Sequence, residues 1–253
     1  MHGILLKLIP VNDTNAISEW LTDDDQIFTL FASHYKTSKK KFPNSLELFS
    51  AYELAVSPNG QQMPWLNEAY SVQTFSNFTA DLNFYVCACA SLEAIASMLP
   101  QDTRLPGIFT TTLQTWAAMT IDAALAPLAL AWFEARLCQS LGFLPDENHC
   151  AACGQPMTTT LFFQQEQGFM CPRCAGEQTN IPAYLPKAIR RLVQNPLQTI
   201  LTNALHADAP DKCRLVSKHA LQFLTAIMGD VGRLKNLKAH RCMTETLFGQ
   251  PDV

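Results

Sequence analysis

Short apolar runs and alternations, separated by turn residues, fill the first 77 positions of the chain. Turn signals stand at Asn12-Asp13, at Asp23–Asp25 and at Ser57–Gly60. The predicted strands cover Gly3–Val11, Ala16–Leu21, Ile27–Ala32, Leu46–Val56 and Tyr70–Phe75. About five short strands with this punctuation predict a small closed β-barrel or sandwich.

From Asp81 the apolar positions recur at helical spacing, and Pro100 ends the first helical run. Further helices are predicted at Ile108–Met119, Ala123–Leu141, Pro186–Gln194, Pro196–His206 and Cys213–Met228. Residues 233–241 are predicted to be a basic tail segment. The predicted fold class is α+β: a β domain over residues 1–79, then a helical domain over residues 80–253 with a metal-binding insertion at 148–178.

Composition indicates a globular protein without a membrane span. Of the 253 residues 48% are hydrophobic, which is ample for one or two buried cores. The first residues lack the apolar region and cleavage site of a signal peptide. Charged residues and Pro127 interrupt the most apolar stretch, Ile121–Leu141, so it is predicted to be core. Nine cysteines, an odd number, indicate a reducing, cytoplasmic compartment.

Four cysteines form two Cys-x-x-Cys pairs, Cys150 with Cys153 and Cys171 with Cys174, separated by 17 residues. Two residues between thiolates let one tight turn direct both sulfurs at the same ion. The apolar residues between the pairs, Leu161–Phe163 and Phe169-Met170, predict a hairpin that joins them. Four soft ligands with no open position predict one structural Zn²⁺ ion and no catalytic metal.

Three other interpretations of the cysteines stay open at this point. Four ordinary thiols can share this spacing by chance. A thioredoxin-like redox pair needs a βα context that neither pair has. A single iron ion takes the same tetrahedral thiolate set, and spacing does not exclude it.

Charge is distributed unevenly along the chain. The net charge is −4, but residues 181–253 carry 10 basic and 5 acidic side chains, a net +5. Three basic sets are candidates for contact with DNA phosphates. They are Lys36, Lys39, Lys40 and Lys41 beside Tyr35 and Phe42, where a ring is expected to stack on a base; Lys187, Arg190 and Arg191; and Arg233, Lys235, Lys238, His240 and Arg241. Solvated loops and cations at helix C-termini give the same pattern without DNA.

Familiar catalytic motifs are missing from the sequence. It contains no His-Glu-x-x-His, no Gly-x-Ser-x-Gly, no Walker loop and no Gly-x-Gly-x-x-Gly. The Asp23–Asp25 run is interpreted as a solvated turn. The sequence therefore favours a protein that is not an enzyme.

One block of about 45 residues carries a family resemblance. It begins with Phe133-Glu-Ala-Arg-Leu-Cys-Gln-Ser-Leu-Gly-Phe-Leu-Pro145, continues into Cys150-Ala-Ala-Cys153-Gly154, and closes with Gln164-Gln-Glu-Gln-Gly168-Phe169-Met170-Cys171-Pro172-Arg173-Cys174. This order resembles the RecO family of bacterial recombination mediators, in which a similar helix end precedes a zinc-binding Cys-x-x-Cys-Gly. The lysine run and Leu237–Arg241 are similar to the family's basic loop and C-terminal segment.

The resemblance implies an N-terminal OB-fold and a non-enzymatic role in recombinational gap repair. A protein of this kind binds single- and double-stranded DNA, anneals complementary strands and contacts RecR and the C-terminal tail of single-strand-binding protein. It acts on RecA indirectly, by helping RecA to load.

Two rival hypotheses remain. In one, the chain is a zinc-knuckle scaffold for proteins, without strong DNA binding, because its first 80 residues are acidic overall. In the other, it is an enzyme with a structural zinc and no local motif.

Overall fold

The structure is a computed structural model, and the residues that it describes are 1–43, 45–59, 62–75, 81–100, 102–157, 162–164, 167–175, 181–206, 210–232 and 236–249. Five strands come first: β1 (His2–Pro10), β2 (Ala16–Thr22), β3 (Ile27–Ala32), β4 (Ser50–Asn59) and β5 (Gln62–Thr74). The predicted domain boundary at 79 and 80 lies outside the described residues and stays a prediction.

The five strands close into a barrel in the order β1-β2-β3-β5-β4. All neighbouring pairs are antiparallel except β3 and β5, which run parallel. Inside the barrel, a large apolar core includes Trp20, Tyr52, Leu54 and Leu66. The barrel is OB-like and is followed by helices, which confirms the predicted fold class.

Helices and one short hairpin make up the rest of the described chain. They are α1 (Leu82–Met98), α2 (Ile108–Met119), a 3₁₀ turn (Ala123–Leu125), α3 (Ala126–Ser140), β6 (Phe162–Gln164), β7 (Gly168–Met170), α4 (Leu185–Gln194), α5 (Leu197–Leu205), α6 (Pro210–Val231) and α7 (Lys238–Phe248). No helix in these described ranges combines the length and the apolar character needed to cross a membrane.

Helix boundaries follow from local chemistry. The side chain of Asp81 caps α1, because its Oδ1 accepts from the backbone N–H of Asn83 at 2.8 Å. Pro127 sits in the first turn of α3, where a missing N–H costs nothing, so the predicted helix from Ala123 is split by the 3₁₀ turn. Gly142 has φ +76° just beyond α3, as a helix stop requires.

Several sequence predictions about the elements are wrong. The strand β4 begins at Ser50, so Leu46–Phe49 belongs to the loop before it, and β5 begins at Gln62 and not at Tyr70. The strand β4 continues to Asn59, so Ser57–Asn59 is not a turn; Gly60 lies outside the described residues. The segment from Lys238 is not a basic tail but the helix α7, whose buried face carries His240, Met243 and Leu247 and continues the buried Leu237 just before it. Because these residues recur every three or four positions, they pack against the other helices.

A second apolar core, distinct from the one inside the barrel, joins the outer surface of the barrel to the helices. Phe49 and Phe75 meet the fully buried indole of Trp116 on α2 edge to face, with ring centroids 5.8 and 5.5 Å apart. The carboxylate of Asp25, in the β2–β3 turn, accepts from the backbone N–H groups of Gly107 at 2.7 Å and Phe109 at 3.1 Å. One turn of the barrel thereby binds the N-terminus of α2.

Candidate metal centre and cationic surfaces

The first cysteine pair lies in a tight turn after α3. The backbone N–H of Gly154 donates to the carbonyl of Cys150 at 2.8 Å, and Cys150 N–H donates to Gln155 at 2.9 Å. Gly154 has φ +70°, which a glycine adopts without steric cost. The turn brings Cys150, which is buried, and Cys153, which is exposed, to the same side.

The second pair follows strand β7 and forms a matching turn. The backbone N–H groups of Cys174 and Ala175 both donate to the carbonyl of Cys171, at 3.0 and 3.1 Å. Strands β6 and β7 pair as an antiparallel hairpin, which confirms the predicted connection; Leu161 lies outside the described residues. The N–H of Ala151 donates to the carbonyl of Phe169 at 2.8 Å, so the first turn is held against β7.

Aromatic packing joins this hairpin to the helices. The rings of Phe163 and Phe169 both contact Phe223 on α6, with centroids 4.8 and 5.6 Å apart respectively, and the second pair is stacked. Phe169 and Phe223 are buried. The knuckle is therefore fixed to the helical core through apolar side chains, independently of its cysteines.

The four sulfurs are close enough to hold one metal ion. All four lie within 4.8 Å of one another, and Cys153 Sγ is 3.9 Å from Cys171 Sγ. A metal–sulfur distance of about 2.3 Å sets the corners of a tetrahedron about 3.8 Å apart, so the donor set fits. The Cys171 N–H also donates to Cys150 Sγ at 3.4 Å, which leaves that sulfur oriented inward.

The thiols of the cluster differ in acidity. The backbone N–H of Cys171 lowers the pKa of Cys150 to about 6, so this sulfur is the most readily deprotonated. Hydrogen bonds with Cys171 and Cys153 raise the pKa of Cys174 to about 12. Several thiolates at this separation repel one another, and a bound cation removes that repulsion.

The lysine loop, residues 33–49, joins β3 to β4. Lys36, Lys39 and Lys40 are exposed and Lys41 is half-buried. The expectation that Tyr35 or Phe42 stacks on a base is wrong: these rings are only 6% and 2% exposed, because they pack into the barrel core. Only the lysines of this set face solvent.

On α4, the three predicted cations separate. Lys187 and Arg191 line a groove of about 830 Å³ between α4, α5 and α6, together with Lys212. Its floor is apolar and includes Leu128, Leu192, Ile200 and Val216. Arg190 instead makes an ion pair with Glu147, in the loop before the knuckle. The sequence did not predict the groove, because residues 128 to 216 approach only in the folded chain.

On α7, Lys238 and Arg241 are exposed, whereas His240 is fully buried. His240 therefore does not belong to the basic surface with which the sequence grouped it. Arg233 and Lys235 lie outside the described residues. The structure leaves the DNA contacts of all three basic sets as predictions.

Comparison with known proteins gives a consistent family. Residues 79–225, more than half of the chain, match the family model described as "Recombination protein O C terminal". Among similar curated proteins is "DNA repair protein RecO" of Dehalococcoides mccartyi, 25% identical over 232 residues, 88% of this chain and 89% of that protein.

Two more relatives have the same name and similar coverage. The protein of Anaeromyxobacter dehalogenans is 25% identical over 223 residues, 85% of this chain and 86% of its own length. That of Thermodesulfovibrio yellowstonii is 22% identical over 207 residues, 81% of each. These matches extend beyond the family model into the barrel.

Proposed function

The chain belongs to the RecO family of DNA repair proteins, and from that membership we propose that it is a non-enzymatic mediator of recombinational repair. It binds single- and double-stranded DNA, anneals complementary strands and helps RecA to load at gaps, together with RecR and single-strand-binding protein. The observation that carries the proposal is the sequence match to a DNA repair protein RecO over 88% of this chain, which covers both the barrel and the helical part with its four cysteines.

The distribution of exposed cations supports DNA binding. Lys36, Lys39 and Lys40 project from one loop of the barrel, and each lysine placed on a phosphate releases a counterion. Further exposed cations on the helices, which extend the candidate DNA surface, are Lys187, Arg190, Arg191, Lys238 and Arg241. Arg190 must exchange Glu147 for a phosphate to take part.

The groove beside α4 supports the proposed contact with the tail of single-strand-binding protein. A tail that combines acidic and apolar residues needs an apolar floor and a cationic rim. Leu192 and Ile200 contribute to the floor, and Lys187, Arg191 and Lys212 form the rim. A groove of about 830 Å³ is within the size range of pockets that accept a few side chains.

We assign zinc to the four cysteines as a structural ion. Four thiolate ligands without an open position suit Zn²⁺, and the 3.9 Å between Cys153 Sγ and Cys171 Sγ is close to the sulfur–sulfur spacing of a zinc tetrahedron. Bound zinc would hold the two turns of the knuckle together while the chemistry of the protein stays at its surfaces. Iron in the same cage would colour the protein, so an absorption spectrum and metal analysis separate the two.

The alternative function is a protein-interaction scaffold without strong DNA binding. The acidic barrel favours it, since residues 1–80 carry 5 basic and 8 acidic side chains. Fluorescence anisotropy with labelled single- and double-stranded oligonucleotides at several salt concentrations separates the two. The mediator hypothesis predicts that the protein binds the oligonucleotides at low salt and that its affinity falls steadily as the salt concentration rises. Absence of binding at low salt, with and without RecR, would favour the scaffold.

A further inference from the structure

Four apolar side chains form a continuous row across the outside of the barrel. In the strand register Ile9 faces Ile17, Ile17 faces Phe31 and Phe31 faces Trp65. Adjacent strands lie about 4.8 Å apart, so this apolar row spans roughly 14 Å over four strands. The next residue along β3, Ala32, points into the core, as the alternation of a strand requires.

The apolar row lies where the helices leave the barrel surface open. Ile4, Leu21 and Ile27 point outward but are buried under the helices, whereas Tyr70 and Val72 on β5 are exposed as the row is. Ile9 and Trp65 are 38% and 41% exposed, and among the described residues no helix covers them. Contiguous exposed apolar patches commonly mark interaction sites, so the row is a candidate for one.

The aromatic end of the row is arranged as a stacking surface. The rings of Phe31 and Trp65 lie 5.5 Å apart between centroids, at an interplanar angle of 71°. This edge-to-face contact holds the indole in place while much of it stays open to solvent. A flat partner can therefore pack on Trp65 without displacing a neighbour.

The lysine loop runs beside this aromatic pair. It leaves β3 directly after Ala32 and returns along β5, where the N–H of Ala69 donates to the carbonyl of Lys41 at 3.1 Å. Ala69 is four residues from Trp65, about 13 Å along the strand. The Lys41 end of the lysine loop thus lies about 13 Å from Trp65 along β5, and the loop carries three exposed lysines.

Three acidic residues on the strands face polar neighbours, and one of the three accepts a recorded hydrogen bond. Glu19 faces Lys7 in the register of β1 and β2. Glu68 accepts a hydrogen bond from the hydroxyl of Tyr70 at 3.1 Å. Glu53 faces Tyr70 in the register of β4 and β5.

We propose that the apolar row, with Trp65 and Phe31 at its centre, stacks on the unpaired bases of single-stranded DNA while the lysine loop binds its phosphates. The inference rests on the proposed DNA-binding function and names the side chains that distinguish single strands from duplex. An aromatic face beside cations suits single strands, because every base offers a π-face but only unpaired bases can turn outward. The three exposed lysines of the loop favour a polyanion as the occupant.

The protein carries its own probe for this contact. Trp65 is the exposed member of the four tryptophans, since Trp20 and Trp116 are fully buried and Trp132 is 3% exposed. An oligothymidine of about 16 nucleotides, near the largest site size of one OB barrel, is titrated into the full chain. Stacking predicts quenching of tryptophan emission in the wild type, and loss of that quenching in Trp65→Phe.

Affinity measurements complete the test. Trp65→Ala should weaken oligothymidine binding by about fivefold or more, the effect of one stacked base. Trp65→Phe should restore most of the affinity, and Phe143→Ala, which removes a similarly exposed ring outside the barrel, should change nothing. Binding to duplex DNA should be equal in wild type and Trp65→Ala.

Several outcomes would overturn the inference. Unchanged single-strand affinity and quenching in Trp65→Ala would refute stacking while leaving DNA binding intact. An equal loss of single-strand and duplex affinity would show that Trp65 does not act through unpaired bases. If Trp65→Ala instead lost its affinity for RecR or for single-strand-binding protein, the row would be a contact surface for a protein and not for DNA. If the wild type binds no DNA, the proposed function fails together with the inference.

Discussion

The imidazole of His240 on α7 lies 2.9 Å, Nε2 to Oε1, from the carboxylate of Glu134 on α3, and both side chains are fully buried. The other ring nitrogen, Nδ1, lies 2.6 Å from Oε2 of Glu93 on α1. Because both nitrogens face carboxylate oxygens, the doubly protonated ring satisfies both contacts. Three helices therefore meet at one buried charge.

Electrostatics agree with a charged His240. Burial disfavours the charged ring, but the charge and hydrogen bond of Glu134, with those of Glu93, outweigh it and raise the pKa of His240 to about 9. Burial raises the pKa of Glu134. Glu93 is half-buried, and its burial alone would raise the pKa of its carboxyl. The hydrogen bonds from His240 outweigh that effect, so the pKa of Glu93 is lowered.

Replacing His240 should release α7 from the helical core. His240→Ala leaves Glu134 buried beside an empty site, and breaking a buried pair typically costs about 3–5 kcal/mol. Thermal and urea unfolding measure the change. The control is Glu245→Ala on an exposed position of the same helix, for which a change within about 0.5 kcal/mol is expected. Equal stability of the two variants would show that the ring contributes nothing.

The contribution of His240 to stability should depend on pH. The pKa of His240 in the folded protein, about 9, is raised above the usual histidine value of 6.5, so the folded state binds the proton more tightly. The stabilisation is then fully present below about pH 6.5 and is lost as the pH rises through 9. Urea unfolding of wild type and His240→Ala at pH 6 to 10 should show a stability difference that shrinks as pH rises. A difference that stays constant or grows would contradict the charged ring.

The Asp25 carboxylate should stabilise the junction of barrel and helices. Asp25→Ala removes two hydrogen bonds to the N-terminus of α2 and the favourable charge there, so we expect a loss of about 1–2 kcal/mol. The matched control is Asp24→Ala, which removes the same charge from an exposed neighbouring position. Urea unfolding that shows equal losses would mean that only net charge matters.

Loss of one knuckle ligand should release the metal without changing the rest of the helical core. Cys153→Ser removes a soft ligand, and we expect metal content to fall from one ion per chain to near zero and the melting temperature to fall with it. Cys242→Ser, an exposed cysteine of α7, should keep the ion. Metal analysis measures the ion content and calorimetry measures the melting temperature. A full ion per chain in Cys153→Ser would contradict the assignment of the four cysteines as metal ligands.

The groove should bind an acidic, apolar peptide through its cationic rim. Arg191→Glu replaces an attraction with a repulsion, each about 0.7 kcal/mol at a partly exposed site, so affinity for the tail of single-strand-binding protein should fall about tenfold. Arg104→Glu makes the same charge change at an exposed position away from the groove. Anisotropy of a labelled tail peptide measures both, and equal affinities would place the tail elsewhere.

The spacing of apolar residues and the turn residues between them predicted most helices and strands, because each such element depends on neighbours within a few residues. The strand Ile27–Ala32 and the helix Ile108–Met119 have the predicted bounds. The first part of β5 contains Pro64, and a proline argues against a strand. The sequence therefore does not place Trp65 on the barrel surface. The apolar spacing of α7 is visible in the sequence, but the basic residues around it favour a basic tail segment there.

Long-range contacts were beyond the sequence. The partners of His240 are 106 and 147 residues away, and nothing local marks Glu134 as their companion. Tyr35 and Phe42 flank lysines in the sequence, which suggested rings that stack on a base. In the structure both rings pack in the core of the barrel. The cysteines were predictable because a Cys-x-x-Cys turn fixes its own geometry, and the hairpin between them needs no distant contact.

Annealing of complementary DNA strands already coated with single-strand-binding protein tests the central claim most directly. Strands labelled with a donor and an acceptor dye report duplex formation by energy transfer. If the protein is a recombination mediator, the wild type should accelerate annealing of the coated strands without a nucleotide cofactor. Added salt should suppress that acceleration. Annealing at the same rate as without the protein, with RecR present or absent, would contradict it.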